Sequence, residues 1–139
     1  MSIDNRENIR IGDVYMVEFT GVDHEQMGKR PALIFQNNIG NTHCPNVIVL
    51  PFTTRMMKKK LPTHVLVLAK ESGLPRNSVV MCESPMTISK SRLENYVTHI
   101  PEKYMKQIAA AHILSTSAIS FLDAETVHML MKRACKLNQ

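Results

Sequence analysis

Tryptophan is absent from this 139-residue chain, and aromatic residues make up only 5% of it. Stacking platforms for flat ligands or nucleobases are therefore scarce. Cysteine is sparse too: Cys44, Cys82 and Cys135 are odd in number, widely spaced and form no CxxC pair. That argues against a disulfide scaffold or a cysteine-built zinc site and favours a reducing compartment, the cytoplasm. Lone cysteines in apolar stretches are expected to behave as small core residues. No Gly-rich phosphate loop, GxSxG elbow or HExxH pattern is present, so P-loop hydrolysis, redox cofactors and zincin chemistry lack a carrier. Neither a metal nor a cofactor is expected. No apolar run approaches the roughly 20 residues of a membrane helix. The polar, acid-containing start MSIDNRENIRIG does not read as a secretory signal.

Acidic residues are missing from one third of the chain, for none lies between Glu25 and Glu71. Lys29, Arg30, Arg55, Lys58, Lys59, Lys60 and Lys70 fall in that window, whereas the remaining ten Lys and Arg are outnumbered by the chain's twelve acids. The whole basic excess of +5 is thus local. Such a surface suits a polyanion, nucleic acid above all, although a clustered solubilising face is the plainer alternative.

What is present reads as mainly β with C-terminal helices, in a single domain spanning 1–139. Val14 to Phe19, Ala32 to Gln36, Val47 to Leu50, His64 to Leu68 and Asn77 to Cys82 have strand character. Thr20 to Arg30 reads as a long loop, and Asn37-Asn38-Ile39-Gly40-Asn41 as a turn. Pro51 marks a strand that bends or ends at an edge. Short strands joined by turns predict a small, strongly curved antiparallel sheet or partly closed barrel. Pro101 and Glu102 open a helix with Met105, Ile108, Ala109, His112 and Ile113 on one face. Asp123 caps a second helix, with the stripe Val127, Leu130, Met131 and Ala134. Packing of this helix on its own domain is expected ahead of a docking or dimer role.

The concentrated chemical signal is His24-Glu25-Gln26-Met27-Gly28-Lys29-Arg30-Pro31, which gathers an imidazole, a carboxylate, an amide and a guanidinium. Loops on a rigid sheet are where sites are mounted, and Pro31 restricts the residue before it, Arg30. This HEQxGxRP segment, followed by Gln36-Asn37 and Gly40-Asn41, resembles the MazF/PemK/Kid family of toxin endoribonucleases. So do Val49-Leu50-Pro51-Phe52-Thr53-Thr54, Leu61-Pro62-Thr63-His64-Val65, and Val80 to Ile88, in the right order. The resemblance covers about residues 10–122 and leaves 123–139 as an additional helix.

The resemblance implies an SH3-like sheet of the MazF/PemK/CcdB kind, and a homodimer that cuts single-stranded mRNA without metal and is held by a cognate antitoxin protein. It implies catalytic roles for Arg30, Thr53, Glu25, His24 and Glu83. RNA contacts are expected from Gln26, Lys29, Thr54, Arg55, Lys58, Lys59, Lys60 and Ser84. Three positions depart from the family pattern: Ser84 stands for Gln, Met86 for the Arg before Thr-Ile, and Met81 for a further Arg.

The chemistry is consistent with the residue types. Attack of a ribose 2′-OH on phosphorus needs a base, an acid for the leaving 5′-oxygen, and neutralisation of the phosphorane. Arg30 offers a permanent cation with a donor fork that fits phosphate. Thr53 can fix a non-bridging oxygen, and Glu83, Glu25 or His24 can take the proton. Two alternatives stay open: a silent RNA- or antitoxin-binding module, pointed to by Ser84 and Met86, and a CcdB-like gyrase poison, which the lack of Trp disfavours. Arg30 could equally be a structural partner of Glu25 or Glu83, and His64 and His99 read as hydrogen-bonded structural groups.

Overall fold

The computed structural model describes residues 8–21, 27–55 and 61–137. Among these residues, seven strands make one antiparallel sheet: β1 (Asp13–Thr20), β2 (Met27–Ile34), β3 (Asn46–Thr53), β4 (His64–Val67), β5 (Ser78–Met81), β6 (Met86–Ser89) and β7 (Leu93–His99). Their spatial order is β4-β5-β3-β2-β1-β7, with β6 also pairing β3. β4 and β7 form the two ends of this path, so the sheet curves but does not close into a barrel. The helices of the described residues are α1 (Asn38–His43), α2 (Ala69–Ser72), α3 (Glu102–Leu114) and α4 (Ala124–Leu137).

The curvature follows from the way strands change partners. β3 pairs β6 along Asn46–Val49 and then β5 at Phe52 and Thr53. Pro51, which has no N–H to give a ladder, sits between those two pairings. The strand therefore bends at Pro51 and runs on to Thr53. β1 pairs β7 with two register shifts, which sharpen the local bend.

Alternation along the central strands sends apolar side chains to both faces. On one side Val14, Leu33, Leu50, Phe52, Val65, Val80 and Cys82 pack with Ile108 and Tyr104 of α3. On the other, Tyr15, Val17, Phe19, Ala32, Ile34, Val49, Ile88 and Leu93 form a second core, with Met86 packed against it. Met86 thus has a packing role.

Several expectations need correcting. The predicted turn at 37–41 is the start of α1, because the Asn37 side chain accepts from the Gly40 N–H and caps a helix. The expected loop up to Arg30 is shorter, since β2 begins at Met27 by pairing with Thr20 of β1. Helix α3 does start after Pro101, but it buries Tyr104, Ile108 and Ala111, while Ala109 and Ile113 face solvent. Cys82 is buried as expected, whereas Cys44 and Cys135 are exposed. Helix α4 is capped as read, the Thr126 N–H bonding Asp123 Oδ1 at 2.8 Å. It buries none of its residues, however, and among the described residues it contributes to neither core. Among the described residues no helix is long and apolar enough to cross a membrane.

Candidate active site

Arg30 lies in the part of β2 that pairs with β1, opposite Val17. The β2–β3 ladder sets Ala32 opposite Pro51. Continuing that register by two residues brings Arg30 opposite Thr53, just beyond the last paired position. Side chains of directly opposed residues share a face, and the same face continues through Val79 of β5, which pairs Thr53, to Leu66 of β4, which pairs Val79. A row Arg30–Thr53–Val79–Leu66 therefore crosses the sheet. The reverse face, with Phe52, Val80, Val65 and Val67, is buried beneath α3. Arg30, Thr53 and Val79 are half-buried and Leu66 is exposed, so the row is open to solvent.

Local bonds fix these groups. The Arg30 Nε donates to the Met27 carbonyl at 2.8 Å, which holds the guanidinium at the β2 entrance. Gly28, in the same entrance, has φ +84°, a conformation that side chains resist, which accounts for glycine in that position. Thr53 Oγ1 accepts from the Arg55 N–H at 3.1 Å and turns the chain out of β3, leaving Thr54 and Arg55 exposed.

Glu83 sits where β5 turns towards β6. Its Oε1 meets His64 Nε2 at 2.8 Å, and its Oε2 is buried without a hydrogen-bond partner among the described residues. A buried carboxylate oxygen left unpaired is an acceptor waiting for a donor. His64 pairs Met81 across the β4–β5 ladder, on the same face as Thr53. Its reading as a hydrogen-bonded group holds, but the bond goes to a candidate site carboxylate. Neither segment shows that contact by its own pattern. Beside Glu83, burial first and the Glu83 carboxylate second push the Cys82 thiol up to about 12, so it stays a neutral core group. His99 and His112 also have structural partners, Asp13 Oδ1 at 2.7 Å and the Cys82 carbonyl at 3.0 Å.

The structure thus brings Arg30, Thr53 and His64 onto one sheet face, with Glu83 joined to them through His64. Ser84 is half-buried in the following turn, its N–H bonded to the Met81 carbonyl. Lys29 forms a 3.0 Å ion pair with Glu94 of β7, on the outer surface. His24, Glu25, Gln26, Lys58, Lys59 and Lys60 lie outside the described residues. No group of three or more His, Cys, Asp or Glu side chains among the described residues is placed to hold a metal ion.

Residues 10–115 match the family described as PemK-like, MazF-like toxin of type II toxin–antitoxin systems. The chain belongs to this family. A relative, endoribonuclease EndoA of Bacillus subtilis (strain 168), is 40% identical over 114 residues, covering 81% of this chain and 98% of its own. Solved structures agree with the fold. The Mycobacterium tuberculosis toxin MazF-mt6 aligns with TM-score 0.63 and 26% identity, over 74% of this chain and 94% of its own. An endoribonuclease from mycobacterial species, in complex with its cognate antitoxin, aligns with TM-score 0.64 and 24% identity, over 77% and 93%. In the PemK/MazF frame the match ends at residue 115, so α4 lies beyond it.

Proposed function

We propose that this chain is the toxin of a type II toxin–antitoxin pair, a cytoplasmic homodimeric endoribonuclease that cuts single-stranded mRNA at a preferred short sequence. The observation that carries the reading is the Arg30–Thr53 juxtaposition on an open sheet face, in a member of the PemK/MazF family. The Bacillus subtilis relative's name, an endoribonuclease, supports the reaction class, and the mycobacterial complex supports an antitoxin partner.

In this reading the scissile phosphate lies between Arg30 and Thr53. The 2′-oxygen attacks phosphorus in line, forming the 2′-O–P bond as the P–O5′ bond breaks. Arg30 and the Thr53 hydroxyl bind the non-bridging oxygens where negative charge grows. Glu83, oriented by His64, or the Glu25 or His24 of the preceding loop, accepts the 2′-OH proton, and a protonated group of the same set returns one to the 5′-oxygen. Products carry a 2′,3′-cyclic phosphate and a 5′-hydroxyl. Gln26, Lys29, Thr54, Arg55, Lys58, Lys59, Lys60 and Ser84 hold the strand on either side, and no metal takes part.

The test is cleavage of a long RNA by the purified chain in EDTA, beside Arg30→Ala and Thr53→Ala, with product ends mapped. Cutting at a recurring motif, with cyclic phosphate ends and loss in both variants, is expected. Cleavage that persists in both variants removes the residue assignment. Salt-sensitive binding without cleavage makes the chain a silent binding module.

A further inference from the structure

The face of α4 that the fold leaves bare supports a separate inference, independent of the nuclease reading. Val127, Leu130, Met131 and Ala134 recur at helical spacing, yet α4 buries no residue and Met131 is 63% exposed. Immediately upstream Ile119 and Phe121 are exposed as well, Phe121 at 83%. Bare apolar surface therefore runs from the short 3-10 turn at Ala118–Phe121 into the helix. A 14-residue helix is near the limit of stability in water, where most helices depend on packing an amphipathic face. Apolar patches of this kind mark association surfaces.

The charge pattern indicates what covers it. Asp123 and Glu125 stand at the N-terminal end, while Lys132, Arg133 and Lys136 stand at the C-terminal end. A uniformly acidic or basic partner is repelled at one end. A second copy of α4 related by a two-fold axis perpendicular to the helix runs antiparallel, and each acidic end then lies beside the other copy's basic end, whereas a parallel pair sets like charges together. We propose that α4 is a self-association helix, pairing antiparallel with α4 of a second copy of this chain through the Val127–Ala134 stripe. The apolar stripe supplies affinity and the end charges set orientation. Because the family match stops at residue 115, this contact adds to whatever association the family fold itself supports.

The full-length chain and its Leu130→Glu/Met131→Glu variant are compared by light-scattering-coupled gel filtration, with thermal melts as a folding check. The variant is expected at half the parent mass with one cooperative melt still present, since neither residue contributes to a core. Equal masses overturn the proposal. Orientation is read by mild oxidation in a Cys44→Ser background. In an antiparallel pair crossing near Met131, two Cys135 residues lie roughly 12 Å apart along the axis, beyond disulfide reach. Met131→Cys in a Cys135→Ser chain should therefore cross-link and native Cys135 should not. Cross-linking through Cys135 alone overturns the antiparallel arrangement.

Discussion

Arginine and lysine at position 30 carry the same charge but not the same geometry. The Arg30 Nε is held by the Met27 carbonyl, which leaves the terminal nitrogens of the fork aimed by that bond. A lysine has no second arm to be held in this way. Arg30→Ala is expected to lower single-turnover RNA cleavage on the order of a hundredfold or more. Arg30→Lys should retain RNA binding while recovering little of that rate, which a Kd measurement beside the cleavage assay separates. His64 poses a different question, because its side chain is 7% exposed and its partner Glu83 is half-buried. His64→Ala removes the partner of Glu83 Oε1 and leaves the carboxylate without its hydrogen bond. A loss of about 1–3 kcal/mol in denaturant unfolding is expected, and cleavage should fall with it if Glu83 takes the proton.

Elements differ in how far their own residues dictate them. Hydrogen bonds from Thr126, first from its backbone N–H and then from its side-chain hydroxyl, hold the Asp123 carboxyl below the usual range. A group whose folded value is lowered stabilises above its unfolded value and loses that contribution as pH falls through the folded one. Helix α4 should therefore fray in acid, below the ordinary aspartate range, while the core stays folded; amide exchange of residues 124–130 against pH checks it. That cap was legible in the sequence, as were β1, β3, β4, β5 and the start of α3, each carrying its own apolar pattern or capping residue. Others were not. Asn37-Asn38-Ile39-Gly40 reads as a turn, because asparagine and glycine favour both turns and helix ends; the tertiary bond from the Ile11 N–H to Asn38 helps decide for a helix. β7 hides because only Leu93 of its seven residues is buried, and a polar strand has no alternation to detect. Helical periodicity gave α4 its stripe but could not say what the stripe would face. In the site, Arg30 was visible in a loop motif and Thr53 in a strand-end motif, but not as neighbours. The His64–Glu83 bond joins residues 19 apart in sequence and became visible only in the folded chain.

At the scale of the molecule, two apolar clusters share the strands β1–β3, one on each face. Truncation in either should be felt by the other through those strands. Ile108 is fully buried between α3 and the sheet, so Ile108→Ala should cost about 2–5 kcal/mol in denaturant unfolding. The local basic excess makes a second prediction. RNA affinity should fall steeply and linearly on a log–log plot against salt, with a smaller slope for Arg55→Ala, because each phosphate contact releases counterions. Lys29 must leave Glu94 to join such a contact, at a cost of only about 0–1 kcal/mol, as exposed pairs are weak.

The pairing of β1 with β7 also has a consequence in time. Asp13 is opposite His99, so the first strand's outer edge is covered by the last strand made among the described residues. A ribosome adding about 5–20 residues per second takes several seconds to cross that interval. Throughout it, β1 can pair only with β2, and its other edge stands open to any extended chain. The β2–β3 end that carries Arg30 and Thr53 is synthesised well before that edge is sealed. The rate of translation between residues 20 and 99 is thus a determinant of how much of this protein reaches its native state.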